Sequence, residues 1–278
     1  MATIHPTAIV DASARLGAGV IIGPHAVVEP DTVIGDGCEI RAGAVIRRYT
    51  EMGPGNVVHS CAVLGGEPQD YKFDPNSRTF LRIGANNVFR EHVTLSRATT
   101  AGGATVIGSG GYFMACSHVG HDSVIGDGVV LVNGAGVGGH AELHDRAILS
   151  AYVMIHQFCW VGQMVMSRGH SGASQHVPPF VMLGGINQVI GLNSVGLRRA
   201  AHITEADRCQ VKQAYRLLYR SGLTNRQALA EMDKQADWGP AATSFREFVR
   251  RVLTASKPYN RGLISPPAAV RGEEKNDE

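Results

Sequence analysis

The stretch "VDASARLGAGVIIGPHAVVEPDTVIGDGCEIRAGAVI", Val10 to Ile46, repeats itself every six residues. Val10, Leu16, Ile22, Val28, Ile34, Ile40 and Ile46 mark the period, which continues through Met52, Val58 and Leu64. Four places after most of these aliphatics stands a smaller residue, among them Ala14, Ala26, Thr32, Cys38, Ala44 and Ala62. A glycine often follows directly, as at Gly17, Gly23, Gly35 and Gly53, where it would tolerate a tight backbone. A period of six cannot keep one stripe on a 3.6-residue wheel, so this is no amphipathic helix. Short hexad repeats instead predict a β-helix, in which three hexads close a triangular coil of about eighteen residues and the coils stack.

The pattern resumes at Ile83 with its phase moved by one and runs through Phe89, Leu95, Ile107, Phe113, Val119 and onward to Val161. Leu64 to Ile83 spans nineteen residues, three hexads plus one, so an inserted loop near 66–80 must absorb the difference. The weak hexad at Ala101, in "SRATTAGGAT", predicts a second excursion near 96–106. After Pro178-Pro179 the period fades and helical grammar follows. Thr204 reads as an N-cap and Gly222 as a stop, and "TNRQALAEMDKQA" and "SFREFVRRVLTAS" read as two further helices. The predicted organisation is a mainly β chain: a β-helix over 1–190, a small α-helical domain over 191–262, and a disordered tail over 263–278.

Bulk properties narrow the function. A formal net charge of +2 carries no nucleic-acid signature, and no stacking platform or recognition motif adds one. Five cysteines without close pairing read as reduced thiols. The opening "MATIHPTAIV" shows no signal peptide, and no apolar run approaches the roughly 18–20 residues of a membrane span, so a cytoplasmic protein without membrane insertion is expected.

Eighteen-residue stacking then gathers the titratable residues. One coil beyond Gly120–Asp122 ("GHD") comes Gly138–His140 ("GGH"), and one coil further comes His156–Phe158 ("HQF"). His121 would thus lie beneath Gly139, Gly139 beneath Gln157, and Asp122 beneath His140. His121, two places past the inward Val119, should face outward or toward a neighbour, beside an open notch of glycine N–H groups. An imidazole can take a hydroxyl proton at neutral pH, a backbone N–H such as that of Gly139 can hold an oxyanion, and Asp122 can orient the ring. That set suits acyl transfer. A metal is the rival: His118, His121, His140 and His156 offer neutral ligands. Glycine and glutamine occupy the covering positions and His118 stands in another column, so the metal-free reading is preferred. A non-catalytic scaffold is the third possibility.

These residues resemble the UDP-N-acetylglucosamine acyltransferase family over essentially residues 4–262. The likeness rests on "HPTAIV", "GEPQDYKF", "REHVTLSR", "SHVGHD", "GGH", "HQF", "HVPPF", "GLNSVGLRRA" and "AYRLLYRSG". It implies a left-handed β-helix, a homotrimer with sites between subunits, and transfer of an acyl group, usually 3-hydroxylated, from the phosphopantetheine arm of acyl carrier protein to the sugar 3-hydroxyl. This would be the first step of lipid A assembly, with no further cofactor. The resemblance makes His121 the general base, Asp122 its partner and Gly139 the oxyanion-hole glycine. It makes Gln69, Asp70, Lys72, His118, His140 and Gln157 substrate contacts, and Asn193 and Arg199 the nucleotide phosphate pair. Gly169 falls where the family places a side chain that measures the acyl chain.

Three positions depart from the pattern. Ser96 stands where many relatives carry histidine, and Val195 and Ala200 where charged residues are common. Nothing in the residues separates a 3-hydroxyl from a 3-amino acceptor. The related N-acyltransferases normally carry an N-terminal uridine-binding domain, whereas here the hexads begin at Val10. Between Val195 and Gly262, thirteen Lys or Arg face six Asp or Glu, an excess of seven positive charges. Lys212, Arg216 and Arg220 recur every four residues, a basic stripe suited to the acidic carrier protein.

Overall fold

Most aliphatics of the hexad pattern end a two-residue strand whose backbone bonds to the strand one coil on, eighteen residues away outside the insertions. Thr3 pairs with Ile21 and Ile9 with Val27, in parallel, and the coils continue so until the final pair, where Val189–Leu192 runs antiparallel to Val181–Leu183. In the computed structural model, which describes residues 1–267, this builds three flat sheets of eleven, nine and eight strands around one axis, a left-handed parallel β-helix. The first sheet runs from Thr3–Ile4 to Val189–Leu192, the second from Ile9–Val10 to Gly172–Ala173, and the third from Arg15–Leu16 to Trp160–Val161. Ile22, Ile34, Ile46, Leu64, Leu95 and Leu131 fill the bore and are at most 1% exposed. Val10 and Leu16 are only partly covered, because no coil lies below the first.

Both insertions interrupt the register where the pattern slipped. Thr50 pairs with Leu81, a separation of 31 where eighteen is the rule, so thirteen residues are inserted. That is two hexads plus one, which moves the phase. Phe80 pairs with Ala104, 24 residues on, so the second loop adds one whole hexad and leaves the phase alone. Ala101 is small because it sits exposed in that loop and not in the bore.

The glycines have a different job from the one expected. The tight corner falls three residues after the aliphatic; glycine holds it at positive φ in some coils, as at Gly37 and Gly128, but beside the histidines non-glycine residues do so: Asp122 at 57°, His140 at 58° and Phe158 at 62°, one above another. The glycine directly after the aliphatic is needed for close approach, since a Cβ on Gly35 would come 2.6 Å from the carbonyl carbon of Gly53 in the next coil.

Four helices follow: α1 (Ser194–Arg199), α2 (Glu205–Tyr219), α3 (Asn225–Asp233) and α4 (Pro240–Thr254). Thr204 caps α2, closing a capping box with Asp207, but α2 stops at Tyr219 and Gly222 lies beyond it at φ 72°. α4 starts at Pro240, four residues before the expected start, because proline suits the first turn. α4 docks on the third sheet through Arg251, which forks onto Glu142 at 2.7 Å twice and stacks 3.7 Å from the Trp160 ring centroid. The expected tail does not begin at 263. Leu263 pairs with His176 and Ser265 with Gln188, and Leu263 and Ile264 are buried, because these apolar side chains cover the open end of the last coil. The remainder of the expected tail, 268–278, lies outside the described residues. Among the described residues no helix is long and apolar enough to cross a membrane.

Candidate active site

The corner between the second and third sheets carries the histidine cluster. His118 begins the strand His118–Val119, the chain turns at Gly120–Ser123, and Asp122 takes the positive-φ corner. The next coil repeats the turn with Gly138–His140. His140 N–H donates to the His121 carbonyl at 2.9 Å, which pins the two corners in register.

His121 Nδ1 lies 2.8 Å from Asp122 Oδ2. Burial works to raise the Asp122 pKa, but hydrogen bonds from His121 and Thr99 outweigh it and hold the carboxyl below its ordinary value. An ionised carboxylate only accepts, so Nδ1 carries the proton and Nε2 is left as the basic nitrogen. Thr99 grips the same carboxylate with both its N–H (3.1 Å) and its hydroxyl (2.7 Å). Thr105 Oγ1 accepts the Asp122 N–H at 2.8 Å.

The His121 side chain is 12% exposed, so the imidazole does not project outward. It lies over Gly139 and fills the notch that the glycine makes: a Cβ on Gly139 would come 2.6 Å from Cε1 and 2.7 Å from Nε2. The Gly139 N–H has no hydrogen-bond acceptor among the described residues, while its neighbours Gly138 and His140 are both bonded. A free donor therefore belongs to the residue that the basic imidazole covers.

His140 stands edge-on to His121, ring centroids 5.1 Å apart, and stacks on Phe158 at 4.7 Å. Its Nε2 is 3.7 Å from Asp122 Oδ2. Burial lowers its pKa, and the charges of Asp122 and Asp70 partly offset this. Asp70 thus acts on His140 from the first inserted loop, where it also caps Lys72 N–H at 2.8 Å; Gln69 and Lys72 are exposed beside it. His118 Nδ1 meets Thr94 Oγ1 at 2.8 Å, and burial holds this ring below its usual pKa. Gln157 is exposed above Gly139. His121, Asp122 and His140 bring one donor atom each within 4.8 Å of one another, a spacing that a cation could use, whereas His118 and His156 stand outside that group.

Among the described residues Asn193 and Arg199 make no hydrogen bond or ion pair with this cluster. Asn193 is buried as the N-cap of α1, accepting from Gly196 N–H at 2.9 Å and donating to the Met164 carbonyl at 2.9 Å. Arg199 is exposed near the end of the same helix. Gly169 is exposed at the corner between the first and second sheets, three coils above His121. Thr99 was not singled out from the sequence, because the second insertion breaks the eighteen-residue count that linked the other partners.

Comparison with known proteins decides the family. An acyl-[acyl-carrier-protein]–UDP-N-acetylglucosamine O-acyltransferase of Thiobacillus denitrificans is 47% identical over 95% of this chain and 100% of its own length. The chain belongs to this family. The acyltransferase of the same name from Anaeromyxobacter sp. strain K is 43% identical over 89% of this chain and 96% of its own. Residues 176–264 match the family described as UDP N-acetylglucosamine O-acyltransferase, domain 2, and residues 13–48 match the bacterial transferase hexapeptide family. The crystal structure of the UDP-N-acetylglucosamine acyltransferase of Bacteroides fragilis superposes with a TM-score of 0.86 at 33% identity, covering 94% of this chain and all of that one. The Francisella novicida enzyme superposes at 0.88 with 29% identity over 99% of this chain and 100% of that chain. This chain is accordingly an acyltransferase enzyme.

Proposed function

We propose that the protein transfers a 3-hydroxyacyl group from the phosphopantetheine thiol of acyl carrier protein to the 3-hydroxyl of UDP-N-acetylglucosamine, the first step of lipid A biosynthesis. The observation that carries this reading is the 2.8 Å bond from His121 to Asp122 with Nε2 lying over Gly139. His121 Nε2 takes the hydroxyl proton as the sugar oxygen attacks the thioester carbonyl. Charge develops on the former carbonyl oxygen, and the Gly139 N–H donates to it. The intermediate collapses, the C–S bond breaks, and the departing thiolate recovers the proton from the imidazolium. The ester forms, the thiol is released, and the histidine is restored.

In this reading Gln69, Asp70, Lys72, His118, His140 and Gln157 hold the sugar and the donor around His121. His118 and His140, both with lowered pKa, are neutral at pH 7 and add no charge that would repel the imidazolium. Asn193 and Arg199, remote from the cluster of their own chain, would hold the nucleotide phosphates of a neighbouring subunit's site. A homotrimer would bring those subunits together, and the outer face of the first sheet suits one: Ile21, Val57, Val88, Tyr112, Val130, Ile148 and Met166 stack in a column broken by Glu39 between Ile21 and Val57, and parallel sheets are normally covered on both faces. Lys212, Arg216 and Arg220 are exposed along α2 without an ion pair among the described residues, a docking stripe for the acidic carrier protein. The proposed setting is the cytoplasm.

The test is product formation from a panel of acyl carrier protein thioesters with UDP-N-acetylglucosamine and, in parallel, its 3-amino analogue. His121→Ala should lose at least the ~10²–10⁴-fold that general-base catalysis supplies, and near-wild-type turnover by that variant would remove the proposal. The donor group of His121, Asp122 and His140 favours one second reading, a cation-dependent enzyme of the carbonic anhydrase type. Carbon dioxide hydration that is lost on chelation and regained with zinc, without acyl transfer, would support it over ours.

A further inference from the structure

Among the described residues Arg97 is the largest fully buried side chain, 1% exposed, yet its guanidinium is poorly satisfied. Its polar partner is Glu67 Oε1, reached from Nη2 at a long 3.5 Å, and its Nε and Nη1 hydrogens meet no acceptor. A buried charge so thinly bonded costs stability, so stability is a poor reason for having arginine there. Burial also works against its charge, and the neighbouring Arg48 and Arg47 add to that.

The surroundings supply a better reason. The guanidinium lies 5.3 Å from the ring centroid of Phe73, in the middle of the first inserted loop, and 5.8 Å from that of Tyr49 in the coil. The backbone N–H of Arg97 donates to the Gly66 carbonyl at 2.9 Å, where the loop departs, and that of Ala98 donates to Phe80 at 3.2 Å, where it returns. Glu67 and Phe73 bracket Gln69, Asp70 and Lys72 in sequence. Between those anchors the loop has only local turns, such as Phe73 N–H to the Asp70 carbonyl at 3.0 Å. Two residues further along the same segment, Thr99 grips Asp122.

We infer that Arg97 is a positioning residue for UDP-sugar binding: it seats the 67–79 loop on the coil by stacking against Phe73 and pairing with Glu67, and so sets where Gln69, Asp70 and Lys72 meet the substrate. This rests on the proposed role of the loop as a substrate contact. Lysine cannot do the same, because a point charge lacks the flat face that stacks on a ring.

The full-length protein tests this with Arg97→Met, Arg97→Lys and Phe73→Ala. Phe73→Ala removes the seat from the loop side and leaves the coil intact. Amide hydrogen exchange across 67–78 should quicken about tenfold in all three while the coil strands keep wild-type rates. KM for UDP-N-acetylglucosamine should rise on the order of tenfold to 10²-fold, with kcat within about threefold of wild type. Unchanged loop exchange in Arg97→Met and Phe73→Ala would overturn the inference, and so would a fall in kcat without a rise in KM. Faster loop exchange at unchanged KM would keep Arg97 as the seat and remove the loop from the substrate site, which is the failure of the reading beneath it.

Discussion

His121 Nδ1 and Asp122 Oδ2 stand 2.8 Å apart, adjacent in sequence and turned toward each other by the positive φ of Asp122. That corner makes the aspartate a selector of tautomer. In Asp122→Asn the amide can donate as well as accept, and Nε2 is no longer reliably the free nitrogen. kcat should fall by about 10²–10⁴-fold with KM little changed, measured under saturating thioester.

Thr99→Val deletes the 2.7 Å hydroxyl donor to Asp122 but keeps the backbone N–H. The hydrogen bonds lower the Asp122 pKa, so removing one raises it. Protonated Asp122 cannot orient His121, and the acid limb of the pH–rate profile should move to higher pH. A profile superimposable on wild type would show that the hydroxyl is idle.

Gly139→Ala adds a Cβ 2.6 Å from His121 Cε1, inside any tolerable contact. The ring must swing away from the amide it covers. An activity loss on the order of 10²-fold is expected, with thermal melting close to wild type because the ring, not the coil, gives way.

Glu142 anchors the helical domain. Burial would raise its pKa, but His144 and Arg251 hold it down to about 2, from an ordinary value of 4.5. A depressed carboxyl pKa contributes stability that is complete above 4.5 and lost as pH falls toward about 2. Glu142→Gln should melt below wild type at pH 7 and converge with it in acid, followed by the fluorescence of Trp160, which lies under Arg251.

Gly169 sits three coils above His121, about 14 Å along the axis at the usual strand spacing, and a Cβ there would find its nearest atom at 3.4 Å, the Ala151 carbonyl oxygen. Gly169→Met should therefore block the end of an acyl groove and shift donor preference to shorter chains. An unaltered chain-length profile would free Gly169 from that role.

Much of this was legible before any coordinates. A bore residue every sixth place is a direct imprint of alternate burial, and the one-residue slip between Leu64 and Ile83 announced an inserted loop, whose thirteen residues only the strand register counts. Stacking by eighteen also brought His121, Gly139, Asp122 and His140 together. The same rule failed for Thr99, which lies 23 residues before Asp122 because the second insertion intervenes. The corners were illegible for another reason: Asp122, His140 and Phe158 adopt positive φ without the glycine that usually signals it.

The repeat alone determined the coil, its columns and the neighbourhood of the histidines, because one strand's burial depends only on its own six residues and the coils above and below. What only the tertiary structure decided was direction and contact: the imidazole turned inward over Gly139, the Thr99 grip on Asp122, the Arg97 guanidinium beneath the loop, and Leu263–Ser265 closing the last coil. Those depend on where inserted segments return in space, and a loop's return is set by packing against distant residues that no local period encodes.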